Sequence, residues 1–185
     1  MKPIITGVTD GTSYRSDVIL EFDEGTAILT KDNGGQVSFT SGTSISEEGH
    51  YSLEVTDEAG NKATVQFIID KTLPVISGVS HGSFYNENVL PTFNEGTATL
   101  MKDGGGQASF VSGAVISEEG HYKLEVIDKV GNAKAISFTI DTTNPKLTLA
   151  SITSSNSDPK LAKSGDTVTL LVHADEDVAI SETKE

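Results

Sequence analysis

The chain has 185 residues, with 27 acidic against 13 basic side chains, a formal net charge of −14, and neither Cys nor Trp. That balance argues against a nucleic-acid surface, which needs a basic footprint for phosphate, and disfavours an anionic membrane. The missing Cys removes disulfides, thiolate nucleophiles and Cys-based zinc sites together.

From the amino end, short windows in which apolar and polar residues alternate fall at residues 4–8, 18–22, 26–31 and 36–40, with a weak one near Ile45. Each is bounded by Gly, Asn, Asp or Ser, as turns require. Between the third and fourth lies KDNGGQ (31–36), which precedes a strand rather than a helix and so reads as a flexible hairpin loop and not a phosphate cradle. The stretch EEGHY (47–51) reads as a corner, with Gly49 free to take positive φ and the Tyr51 hydroxyl able to return to the corner's backbone. A strand carrying Tyr51, Leu53 and Val55 follows, then the turn TDEAGN (56–61), in which Asp57 can bond backbone amides, then a last strand with Val65, Phe67 and Ile69. No window of a dozen residues holds a helical period, and no apolar run approaches the roughly 20 residues of a membrane span.

Sliding the chain by 71 positions aligns Pro3 with Pro74 and Pro145. Without a gap, 39 of the 71 positions from Pro3 to Leu73 are identical in Pro74 to Asn144. Each block carries a full set of strand windows, so the period predicts two tandem modules, residues 1–73 and 74–144, joined through IDKTLP (69–74). Residues 145–185 offer two further strand-like runs, 147–152 and 167–173, and read as the truncated start of a third module of another subtype, too small for a core of its own. Six or seven short local strands per 70 residues predict an all-β fold: tandem antiparallel β-sandwiches of Greek-key type, about seven strands each.

The motif G-x-Y-x-L-x-V-x-D-x-x-G-N, completed by an alternating strand and I-D-x-T-x-P, occurs at 49–74 and again at 120–145. It resembles the tandem bacterial immunoglobulin-like (Ig-like) repeats of Gram-positive cell-surface and secreted proteins. The resemblance spans residues 3–144, and LAKSGDTVTLLVHADEDV (161–178) looks like the start of another Ig-like subtype. It implies a piece of a larger exported protein, at the cell surface or secreted, serving as a stalk, spacer or adhesion module beside neighbouring domains of the same chain. It implies no enzymatic activity.

Such sandwiches sometimes hold calcium between modules. Mapped here, the first junction would bring Asp10, Glu47, Glu48 and Asp70 towards Asn94, Glu95, Asp128 and Asn132. The second would bring Glu118, Glu119 and Asp141 towards Asp175, Glu176 and Asp177. Calcium takes six to eight hard oxygens, and without a cation clustered carboxylates repel. The metal candidates are therefore Asp70, Glu95, Asp128, Asn132, Asp141, Asp175 and Asp177; the competing reading is that these are turn residues and solvated corners. Two further readings carry less weight. A cell-surface glycan or a host or matrix protein could be a partner, but Trp is absent, and Tyr14, Phe84 and Tyr85 are the remaining stacking candidates. Paired-carboxylate catalysis needs a cleft that a 70-residue sandwich scarcely offers.

Overall fold

The computed structural model describes residues 1–178, and every regular element among them is a strand. Repeat 1 forms two sheets. One holds β1 (Ile5–Thr6), β3 (Val18–Phe22) and β6 (Thr43–Ile45), in that order. The other runs β2 (Thr12–Tyr14), β8 (Lys62–Ile69), β7 (Gly49–Thr56), β4 (Thr26–Lys31), β5 (Gln36–Phe39). The chain crosses from β3 to β4, from β5 to β6 and from β6 to β7, changing sheet each time, which is the Greek-key path of an Ig-like sandwich. Alternating side chains supply the core: Leu20 from β3, Leu53 and Val55 from β7, Phe67 and Ile69 from β8, all essentially inaccessible. Each contributes about 2–3 kcal/mol by leaving water. Tyr51 stacks on Phe67 with ring centroids 5.2 Å apart, and its hydroxyl donates to the Glu47 carbonyl at 2.9 Å, the corner expected from EEGHY.

Repeat 2 follows the same plan. Its larger sheet runs β10 (Ser83–Tyr85), β15 (Ala133–Ile140), β14 (Gly120–Ile127), β12 (Thr97–Lys102), β13 (Gln107–Phe110), and its smaller face pairs β9 (Ile76–Ser77) with β11 (Thr92–Phe93). A second core gathers Leu124, Val126, Phe138 and Ile140. The one large departure is at Pro91, which stands where repeat 1 has Leu20 in the middle strand of its smaller sheet. Proline offers no N–H to a ladder. The strand is accordingly cut to Thr92–Phe93, with a single bridge from Val89 to Ile116 in place of the pairing that Val18–Leu20 make with β6.

Three sequence expectations need correction. The window 4–8 holds only the two-residue β1, which pairs with β3; the chain leaves that sheet at Gly7, and β2, which no window marked, joins the other sheet. A Cβ on Gly7 would lie 1.8 Å from the Ile19 carbonyl oxygen, and φ is +94°, so the switch demands glycine; Gly78 repeats the device. Nor is the sheet wholly antiparallel, because β2 runs parallel to β8, and β10 to β15. Finally, the KDNGGQ loop is a pinned turn. Asp32 and Asn33 have φ of 50° and 57°, the Asp32 carboxylate accepts the His50 amide at 2.8 Å, and Lys31 pairs with Glu47 at 3.0 Å. KDGGGQ does the same through Asp103, His121, Lys102 and Glu118.

Residues Met1–Asp141 form one compact unit, and a second begins at Thr142. In the second, β16 (Leu147–Ser154) pairs antiparallel with β17 (Val168–Ala174) as a two-stranded ribbon, with Leu147, Ile152, Val168 and Leu170 exposed. Its start reuses a device of the repeats. The residue after each period proline, Ile4, Val75 and Lys146, donates its amide to Oδ1 of Asp23, Asn94 and Asp175 respectively, at 2.8, 2.8 and 2.7 Å.

Candidate functional site at the repeat junction

β2 and β8 are parallel neighbours, so both end at the exit of repeat 1. They leave Arg15 and Asp70 side by side, and the Asp70 amide donates to the Tyr14 carbonyl at 2.9 Å. Beyond them the linker is fastened to its own repeat. Thr72 donates its amide to Asp70 Oδ1 at 3.1 Å and its hydroxyl to the Glu48 carboxylate, which also accepts the Lys71 amide. The Lys71 ammonium pairs with Asp17.

The turn Asp128–Asn132, between β14 and β15, receives this exit. Asp128 Oδ1 accepts three backbone amides, from Val130, Gly131 and Asn132 at 2.7–2.8 Å, and Oδ2 accepts Asn132 Nδ2 at 2.8 Å. The other hydrogen of that amide group goes across the junction: Asn132 Nδ2 lies 2.9 Å from the Asp70 carbonyl. Beside it, the Arg15 guanidinium donates to the Gly131 carbonyl at 2.7 Å. Asp128 and Asn132 are only 8% and 7% exposed. Burial pushes the Asp128 carboxyl up, but the Asn132 side chain and the three amides outweigh it and hold the group below its usual range.

Of the metal candidates, the structure brings together Asp70, Asp128 and Asn132, and sets Glu95 on the adjoining 94–96 turn, where Gly96 packs against Ile127 and Asp128. The chemistry of the set is that of a hydrogen-bonded clasp. Both oxygens of Asp128 are taken up by N–H donors, Asn132 presents its NH2 rather than its oxygen, and Asp70 contributes a backbone carbonyl while its carboxylate holds Thr72. Among the described residues no group of three or more His, Cys, Asp or Glu is placed to hold a metal ion. Asp10, expected at the junction, lies well short of it, accepting the Gln66 amide at 2.7 Å. Asn94 is spent on Val75 and Glu47 on Lys31. The Asp141 amide donates to Tyr85; Asp175 holds Lys146, and Asp177 is exposed.

Arg15 is the residue that sequence reading missed. Its counterpart in repeat 2 is Asn86, so the 71-residue comparison marks the position only as a difference between copies. The stacking candidates Tyr14 and Tyr85 are structural: each packs edge-on against Phe67 or Phe138 and its hydroxyl accepts a backbone amide, from Thr9 or Ser80. Phe84 is 78% exposed.

No family model matches the chain. Over 71 residues, the length of one repeat, it is 41% identical to an outer cell wall protein of Brevibacillus brevis, a match covering 37% of this chain and 7% of that protein. Among solved structures, the chain is similar to a complex of Dpr11 IG1 with DIP-gamma (TM-score 0.39, 11% identity, 75% of this chain and 98% of that one). It is likewise similar to murine CEACAM1b (TM-score 0.37, 15% identity, 75% and 98%). The class defined by the strand order is a tandem pair of Ig-like sandwiches, and the cell-wall match is as long as one repeat.

Proposed function

We propose that the chain is a non-catalytic spacer of an extracellular bacterial surface or secreted protein, setting the distance and angle between other domains. One observation carries this reading: the two repeats meet through side chains that bond across the junction, Asn132 to Asp70 and Arg15 to Gly131, with the linker tied down by Glu48 and Asp17. A flexible tether needs none of these. The outer cell wall relative supports a surface location.

Backbone 15N relaxation on the full chain tests it. Repeats 1 and 2 are expected to tumble with one correlation time, and to part into two in the double variant Arg15→Ala, Asn132→Ala. Independent tumbling in the wild type would sink the spacer reading. Calcium and chelator arms run alongside: a calcium-dependent rise in melting temperature, lost in Asp70→Ala and Asp141→Ala, would assign the metal expected from the acidic junctions. A glycan or matrix-protein screen gives the adhesion alternative its chance, with a micromolar ligand on residues 1–141 as the deciding result.

A further inference from the structure

The turn that receives repeat 1 in repeat 2 has a twin in repeat 1 itself. In Asp57–Asn61, the Asp57 carboxylate accepts the Asn61 amide at 2.8 Å through Oδ1 and Asn61 Nδ2 at 2.7 Å through Oδ2. The backbone closes identically, Asp57 amide to Asn61 carbonyl at 3.0 Å, as Asp128 does with Asn132. Asp57 too is held below the usual carboxylate range, first by the Asn61 side chain, which together with the Asn61 and Ala59 amides outweighs desolvation.

What differs is the outside. Asn61 is exposed where Asn132 is buried, and its Nδ2 has the single acceptor Asp57 among the described residues where Asn132 has two. A side chain grown on Gly131 would meet Arg15 at 3.6 Å, whereas one grown on Gly60 would meet open space. Next to the open turn lies a concavity of about 420 Å³ lined by Met1, Glu24, Gly25, Asp57, Glu58 and Ala59. Pro3, buried at this end, stands one period before Pro74, the residue through which repeat 1's exit is delivered to repeat 2.

We infer that the Asp57–Asn61 turn is a docking socket for the exit end of a like module joined through Pro3. That module would offer a backbone carbonyl in the place of Asp70 to Asn61 Nδ2, and a guanidinium in the place of Arg15 to the Gly60 carbonyl. The exit of repeat 1 is the type that fits; the exit of repeat 2, with Asn86 in place of Arg15, supplies only the carbonyl. The inference rests on the spacer reading, because it takes the clasp at Asn132 as the rule by which successive modules join.

The test is the full chain preceded by a second copy of residues 3–73, in register with Pro3, compared with the unmodified chain. Side-chain amide exchange is read at Asn61 and Asn132 in both. The expected result is that Asn61 Nδ2 exchange slows at least about tenfold in the lengthened chain, approaching that of Asn132, and that Arg15→Ala in the added copy reverses part of it. Fast exchange at Asn61 with Asn132 protected would overturn the socket and leave the spacer reading standing. Fast exchange at both would overturn both. Protection of Asn61 in the unmodified chain that grows with protein concentration would assign the socket to a second chain, against the occupant inferred here.

Discussion

Asn61 and Asn132 occupy the same place in two copies of one turn, so alanine at each gives a matched pair in which only the junction differs. Asn61→Ala removes one exposed bond to a carboxylate, worth about 0.5–1 kcal/mol. Asn132→Ala removes the same bond in a buried setting together with the one to the Asp70 carbonyl, and leaves both acceptors short of a donor. Lost bonds of about 0.5–1.5 kcal/mol each, plus an unmet acceptor of about 1–3 kcal/mol, put the cost at about 2–6 kcal/mol. The difference between the two variants, about 1.5–5 kcal/mol, measures the junction, since in stacked modules stability is the sum of a module's own term and its interface term. Urea unfolding of the full chain, with native-state exchange at the Leu53 and Leu124 amides to tell the repeats apart, reads both terms. Equal costs within about 0.5 kcal/mol would refute the claim that the clasp stabilises anything.

Further outcomes follow from other residues. The Asp128 carboxyl is held low in the fold, so its contribution is present above about pH 4 and fades as pH falls through its folded value. Asp128→Asn should lower stability near pH 7 and flatten the acid limb of a melting-temperature profile; parallel acid limbs would refute the assignment. Tyr51→Phe and Tyr122→Phe should each cost about 0.5–1.5 kcal/mol by equilibrium unfolding, through the lost bond to the Glu47 or Glu118 carbonyl. Pro91→Leu should extend the cut strand, seen as new amide protection at positions 90–92, and unchanged exchange there would remove proline as the cause. Amides of Val168–Ala174 should exchange much faster than those of Gly120–Ile127, because a two-stranded ribbon with exposed faces is marginal alone; strong protection would contradict that.

The strands with long alternating windows were legible in the sequence, as were the tyrosine corner and the Asp–Asn turn, because each is a local device written in a few contiguous residues. Less local features were hidden. The split first strand comprises pieces of two and three residues, too short to show a period, and only the contact of Gly7 with Ile19 explains it. Asp10 and His81 perform one task, accepting the amide of Gln66 or Ser137, yet differ in type, so identity between copies passes over them. The bonds across the junction were not legible in the sequence. Acidic residues drew attention to repulsion, whereas the N–H groups that meet Asp128 and Asp70 are displayed by no residue count. Asn61 and Asn132 are identical in sequence, and only a neighbour's arrival distinguishes them.

The parallel pairing of β2 with β8 matters when the ends of a repeat are pulled apart. The chain enters near one strand and leaves at the far end of the other, so tension drives β2 and β8 in opposite directions along their common axis. The backbone bonds between them, with Gly11 to Gln66 and Asp70 to Tyr14 bracketing the pair, are then loaded together in shear rather than unzipped one after another. Repeat 2 presents the same geometry through β10 and β15, which places a tension-bearing patch in each repeat along the chain.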